Sequence, residues 1–116
     1  MGTTVADEVW RLLAEAGFSA VFSVSGGMIA PLLDSVARSS LAPIFMHHEQ
    51  SCAMAADAYF RASGRPAVTL VTNGPGVANA LTGVLGAYQD SIPMVVISGQ
   101  AKKSAQMSNS PLPLSQ

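Results

Sequence analysis

The chain has 116 residues, enough for one domain around a single core and short for a complete enzyme. Apolar residues make up 49% and charged residues only 11%, against roughly 25% in an average soluble domain, which suggests a surface that other protein covers. The formal net charge of -1 gives no basic footprint for nucleic acid or anionic membrane, and the single cysteine, Cys52, excludes an internal disulfide framework.

Thr4, with Asp7 three residues on, predicts a capping box in which each side chain bonds the other residue's amide. Val5, Val9, Leu12, Leu13 and Ala16 recur at helical spacing, and Gly17 supplies the stop. An acidic, periodic start is unlike a signal peptide, and no apolar run approaches the roughly 18 residues of a membrane span. A soluble, cytoplasmic protein is the expectation. Ala20 to Val24 reads as a short buried strand that ends at Ser25-Gly26-Gly27. A second helix carries Ile29, Leu32, Leu33 and Val36 on one face, with Pro31 tolerated in its first turn.

Leu41 to Met46 reads as the second strand in spite of Pro43. An alanine-rich helix runs from about Glu49 to Ala62 and is ended by Gly64-Arg65-Pro66. Ala67 to Val71 is the third strand. A fourth helix starts near Pro75, a favoured first-turn residue, with Val77, Leu81, Val84, Leu85 and Tyr88 as its inward stripe. Pro93 to Ser98 is the fourth strand, and Asp90 is expected to fix the loop before it by accepting amide hydrogen bonds.

Strands that alternate with helices predict an α/β fold: a doubly wound, mainly parallel sheet with helices on both faces. Residues 1–100 carry this pattern. Over residues 101–116 the composition turns to Ser, Lys, Gln, Asn and Pro without periodicity, which reads as a loop or tail.

In such a sheet the turns after the strands share one edge, where ligands bind. Glu49 falls at one of these turns. A carboxylate there can simply favour the helix dipole and cap free amides, or it can act on a bound ligand. His48 and Cys52 have the i, i+4 spacing of two metal ligands, but no second pair accompanies them, so no metal site is expected in this chain. Cys52 reads as a small buried hydrophobe. Asn73-Gly74-Pro75-Gly76 is a strand-to-helix turn in which backbone can approach a ligand. It is no dinucleotide fingerprint, which would need glycine at Asn79, and no P-loop, because no Gly-Lys-Ser/Thr follows.

Taken together, Val21-Phe22, Gly26-Gly27, His48-Glu49-Gln50, Ala55-Ala56-Asp57-Ala58-Tyr59 and Ala62-Ser63-Gly64 follow one another in a distinctive order. Thr72 to Asn79, Asp90-Ser91-Ile92-Pro93 and Ser98-Gly99-Gln100 complete it. The ordered set resembles the N-terminal pyrimidine-binding domain of thiamine-diphosphate-dependent enzymes, most closely the acetolactate synthase (acetohydroxyacid synthase) branch. The resemblance implies that Glu49 is catalytic, its carboxyl hydrogen-bonding the cofactor's aminopyrimidine nitrogen and so activating the thiazolium carbon toward a 2-keto acid. It implies that Gly74, Pro75 and Gly76 contact the pyrimidine with Asn79 in support, and it sets Gly26, Gly27, His48 and Gln100 on the substrate side.

By the same resemblance the diphosphate and its Mg2+ are held by a separate diphosphate-binding domain of the same or another chain, within a homo-oligomer. That domain's Gly-Asp-Gly is absent from this sequence, as are the final strands of a pyrimidine domain. The chain is therefore expected to be a partial domain, inactive alone; the branch also leaves room for an FAD in the parent enzyme. Ser25 stands where the branch usually has proline and Asn73 where it usually has serine, departures that bear on substrate rather than cofactor. Two alternatives remain open at this point: the pyrimidine-domain subunit of a sulfopyruvate- or phosphonopyruvate-type decarboxylase, and a non-catalytic, self-associating fragment.

Overall fold

A computed structural model describes residues 2–103, and the loop or tail expected over 101–116 lies almost wholly outside them. In chain order the elements are α1 (Val5–Glu15), β1 (Ala20–Ser23), a single 3-10 turn (Gly27–Ile29), α2 (Ala30–Val36), β2 (Ala42–Phe45), α3 (Glu49–Ser63), β3 (Ala67–Val71), α4 (Pro75–Gln89) and β4 (Met94–Ser98). The predicted spans hold with small shifts at their ends, where element boundaries are always least defined. The capping box forms as expected: Thr4 Oγ1 accepts from the Asp7 amide, and Asp7 Oδ2 accepts from the Thr4 amide.

The four strands form one parallel sheet in the order β2-β1-β3-β4. The chain enters at β1, moves outward to β2, then crosses back to β3 and β4 on the other side. Right-handed crossovers in opposite directions place helices on opposite faces, so the sheet is doubly wound. β1 and β3 lie in the middle and are buried along their whole length. Pro43 is accommodated because β2 is an edge strand, with a partner on one side only.

One face of the sheet is covered by α1 and α2. Val21, Val68 and Leu70 meet Trp10, Ile29, Val36 and Leu41 there, and the Trp10 indole, fully buried, donates to the Leu32 carbonyl at 3.0 Å. The opposite face is covered by α3, whose Cys52 and Ala56 lie on Ala20, Phe22 and Ala67. α4 packs chiefly against α3.

Two predicted helix faces are corrected. In α1 the anchor is Trp10, whereas Val5 and Leu12 are exposed. In α4 the inward residues are small (Gly76, Ala80, Gly83 and Ala87), while Leu81, Leu85 and Tyr88 are 59%, 55% and 81% exposed. The physical reason is close approach. A Cβ on Gly83 would stand 2.6 Å from Ala53 Cβ and 3.1 Å from the Met54 amide nitrogen, so only a small-residue stripe fits against α3. The larger apolar side chains face outward.

Candidate functional site

The β1/β3 boundary, where the chain reverses its direction across the sheet, is the switch point at which α/β sheets open a crevice. Three turns border it: Val24 to Gly26 after β1, the β2–α3 junction, and Thr72 to Gly74 after β3. A fourth segment, Gly99-Gln100, follows β4 at the same edge. The Gly99 amide donates to the Val71 carbonyl at 2.9 Å, and a Cβ there would fall 2.9 Å from Ile29 Cγ2.

The start of α3 is built by His48 rather than by Glu49. His48 is the N-cap, and its Nδ1 accepts from the Gln50 amide at 3.0 Å. This relieves Glu49 of the capping task that its position alone would suggest. Glu49 occupies the first helical position and is partly buried. Its Oε2 accepts from Asn79 Nδ2 of α4 at 3.3 Å. Oε1 accepts no hydrogen bond from another described residue and lies near the backbone of Gly76, where a Cβ would stand 3.6 Å from it.

The turn before α4 is glycine by necessity at one position. Gly74 has φ 61° and ψ -123°, a left-handed conformation that other residues adopt only under strain. Pro75 opens the helix, and the Asn73 carbonyl accepts from the Gly76 amide at 3.3 Å. Gly26 and Gly76 both lie against the Thr72 side chain.

Of the predicted site residues, then, Gly26 and Gly76 meet on Thr72, Glu49 lies beside Gly76 and is held by Asn79, and Gly74 and Pro75 shape the turn that opens α4. His48 is adjacent, as the cap of α3. Gly27 and Gln100 stand at the rim: Gly27 faces open space, and Gln100 is exposed beyond β4. Thr72 was visible in the sequence only as the first letter of the glycine-rich turn. The glycines that pack on it lie 46 and 4 residues away (72 − 26 and 76 − 72), and no local pattern signals the longer contact.

Cys52, one turn along α3, is fully buried. Burial, and secondarily the neighbouring Glu49 carboxylate, push its thiol up to about 11, so it is a neutral packing residue and not a nucleophile. Asp90 plays a different part from the one expected. Its carboxylate accepts from Arg61, which also binds Asp57, so the turn after α4 is strapped to α3 by side chains. A carboxylate, a side-chain amide and glycine backbone gathered at one sheet edge can hydrogen-bond a ligand and exchange a proton with it.

Residues 3–113 match the family described as thiamine pyrophosphate enzyme, N-terminal TPP binding domain. The chain is 43% identical over 100 residues to the acetolactate synthase large subunit of Buchnera aphidicola subsp. Acyrthosiphon pisum, covering 85% of this chain and 18% of that protein. It is 41% identical over 100 residues to the acetolactate synthase isozyme 3 large subunit of Escherichia coli (strain K12), covering 85% and 17%. The acetolactate synthase large subunit of Lactococcus lactis subsp. lactis is 39% identical over 93 residues, covering 79% and 16%. The chain thus spans less than a fifth of the length of these relatives.

Proposed function

Because the chain belongs to the family of N-terminal TPP-binding domains of thiamine pyrophosphate enzymes and resembles acetolactate synthase large subunits, we propose that Glu49 is the cofactor-activating carboxylate of a 2-keto acid decarboxylase or carboligase. The single observation that carries this reading is the Glu49 carboxylate at the switch-point crevice, tethered through one oxygen to Asn79 and with the other beside Gly76.

The residues fit an aminopyrimidine. Glu49 Oε1 accepts no hydrogen bond from another described residue and lies beside the Gly76 backbone, which supports it as the acceptor for a ring nitrogen. When bound, thiamine diphosphate supplies the electron sink for decarboxylation and for joining the fragment to a second carbonyl. Within this chain Glu49 Oε1 holds the proton shared with the ring nitrogen, Asn79 keeps the carboxyl from rotating away, and Gly74, Pro75 and Gly76 bring backbone to the ring. Gly26, Gly27, His48 and Gln100 lie at the same edge and are assigned to the substrate side.

Residues 1–100 are assigned to the pyrimidine-binding domain and 101–116 to a Ser/Pro-rich loop or tail. The diphosphate and its Mg2+ then belong to a diphosphate-binding domain of the same or another chain, any FAD belongs elsewhere in the parent, and the chain alone has no turnover. The exposed stripe of Leu81, Leu85 and Tyr88 supports association with such a partner and a homo-oligomeric parent. Among the described residues no helix is long and apolar enough to cross a membrane, and we place the parent in the cytoplasm.

The deciding experiment is Glu49→Gln in the complete parent protein. Turnover of a 2-keto acid should fall by about 100-fold or more, the scale expected for loss of a positioned proton-transfer group. Full turnover in that variant overturns the assigned role. A calorimetric titration of thiamine diphosphate and Mg2+, with and without the diphosphate-binding domain, should give weak binding to this chain alone and binding at least about tenfold tighter when both domains are present.

A further inference from the structure

Gly26 and Gly76 are glycines for a reason that their backbones do not supply. Gly26 has φ -166°, extended backbone that any residue adopts, and Gly76 is an ordinary helical residue without a positive φ. What excludes a side chain at both is Thr72. A Cβ on Gly26 would stand 2.5 Å from Thr72 Cβ and 2.8 Å from its Oγ1, and a Cβ on Gly76 would stand 2.7 Å from Thr72 Cγ2. One threonine, the first residue beyond β3, is therefore wedged between the turn after β1 and the first turn of α4.

The orientation of the wedge is set by its hydroxyl, which donates to Asn73 Oδ1 at 3.2 Å. With Oγ1 committed there, the γ-methyl is left against Gly76. Beyond that methyl the next atom a Gly76 Cβ would meet is Glu49 Oε1, at 3.6 Å. Asn79, one turn further along α4 than Gly76, donates to the other oxygen of the same carboxylate. The height at which α4 begins thus governs both contacts of Glu49, and the Thr72 methyl sets that height.

We propose that Thr72 is a positioning residue: its γ-methyl holds the first turn of α4 at the distance that aligns Asn79 and the Gly76 backbone with the Glu49 carboxylate, while its opposite side fixes the Gly26 turn. The proposal rests on the reading of Glu49 as the ring-contacting carboxylate, but its geometry can be tested without the cofactor.

The distances dictate a rescue pattern. In Gly76→Ala the new methyl collides with Thr72 Cγ2 alone, since its other neighbours are 3.6 Å away. Thr72→Ser deletes Cγ2 and should relieve that collision. In Gly26→Ala the nearest atom is Thr72 Cβ, which serine retains, so the same second change should rescue nothing. The full chain is labelled with 13C and 15N, and the Glu49 carboxyl and Asn79 side-chain amide resonances are followed in each variant, with thiamine as the probe of ring binding.

Gly76→Ala should shift both resonances and weaken thiamine by about tenfold, the usual scale of a small overpacking error. Thr72→Ser/Gly76→Ala should return both resonances to their Thr72→Ser positions and bring affinity to within about threefold of that single variant. Gly26→Ala/Thr72→Ser should stay as perturbed as Gly26→Ala. Thr72→Ser alone, which deletes the methyl without adding a clash, should itself shift the Glu49 and Asn79 resonances, and resonances unmoved in that single variant would reduce Thr72 to a packing contact and overturn the positioning role. Should Gly76→Ala fail to fold, recovery of folding in Thr72→Ser/Gly76→Ala, with no such recovery for Gly26, supports the wedge equally. Unmoved Glu49 and Asn79 resonances in Gly76→Ala, or no rescue by Thr72→Ser, overturn the proposal. Absence of thiamine binding by the unmodified chain together with an intact rescue pattern would instead count against the cofactor reading and leave Thr72 in its positioning role.

Discussion

The two helical layers of this domain are built on opposite principles. On one face α1 and α2 bury large side chains, led by Trp10, Ile29 and Val36, and the tryptophan's polar atom is satisfied by the Leu32 carbonyl. On the other, α3 and α4 meet through Ala53 and Gly83 with almost no side-chain volume between them. The first layer supplies core stability. The second brings two helix N-termini close enough for Asn79 to reach Glu49, and it leaves the large apolar residues of α4 facing outward. A domain of this size divides the labour: one layer holds the sheet, the other holds the site.

Truncation of Trp10 tests the first half of that contrast and carries the largest expected effect. Trp10→Ala removes the largest fully buried side chain and leaves the Leu32 carbonyl without its donor, for a loss of about 3–5 kcal/mol in denaturant unfolding. Against a total stability on the order of 5–15 kcal/mol, that change should leave a substantial fraction unfolded at moderate temperature. A loss below about 1 kcal/mol would mean that the α1–α2 layer is not the core it is described as.

Two glycines of α4 test the other half by behaving oppositely. Alanine in place of glycine inside a helix ordinarily stabilises by about 0.5–1 kcal/mol. Gly86 has nothing within 4 Å of a built Cβ, so Gly86→Ala should show that gain. Gly83→Ala should instead destabilise by about 1–3 kcal/mol, because the added methyl must push α3 and α4 apart. Equal effects at the two positions would dissolve the contrast between the layers.

The same contrast explains what could be read in the sequence. Strands and helices were legible because β1 and β3 are short runs of apolar residues between glycine or proline stops, and each helix has a recognisable start, such as Thr4 with Asp7 or Pro75. The ligand-bearing edge followed from the alternation of strands and helices. Helix orientation was not legible where packing depends on the absence of side chains. Leu81, Leu85 and Tyr88 have the spacing of a core stripe, and only the partner helix determines that Gly83 and Ala87 face inward instead. Gly83 and Gly86 inside a long helix were the available signal, since glycine there needs a packing reason at one of the two positions. Likewise Trp10 sits outside the 5, 9, 12, 13, 16 pattern, and the contact of Thr72 with Gly26 joins segments that share no local periodicity.

The outward stripe sharpens the comparison from the solvent side. Leu85→Glu removes apolar surface from α4 at a position that is 55% exposed, so stability of the isolated chain should change by no more than about 0.5 kcal/mol. Association with the remainder of the parent, or with a second copy, should weaken measurably in sedimentation. The pairing of a silent stability effect with a clear association effect is what a covered face predicts. A large loss of stability would return Leu85 to the core.

Acid should distinguish the layers by the smallest effect. Asp7 ties α1 to α2: its carboxylate accepts from Ser35, then from Thr4, and faces Arg38, and these contacts hold its titration well below its ordinary value of 3.8. A depressed carboxylate contributes stability that is present above the unfolded value and is lost as pH falls through the folded one. The difference in unfolding temperature between the unmodified chain and Asp7→Asn should therefore be constant from neutrality down to about pH 5 and should shrink progressively below pH 4. Because Asp7 is only partly buried and salt screens such contacts, the difference is small at every pH and falls with ionic strength. Hydrogen exchange across the same acid range should report early opening where α1 meets α2, with the Asn79–Glu49 contact on the opposite layer untouched by the Asp7 substitution. Equal sensitivity of both layers to Asp7→Asn would show that they open as one unit and that the division between core and site does not extend to their stability.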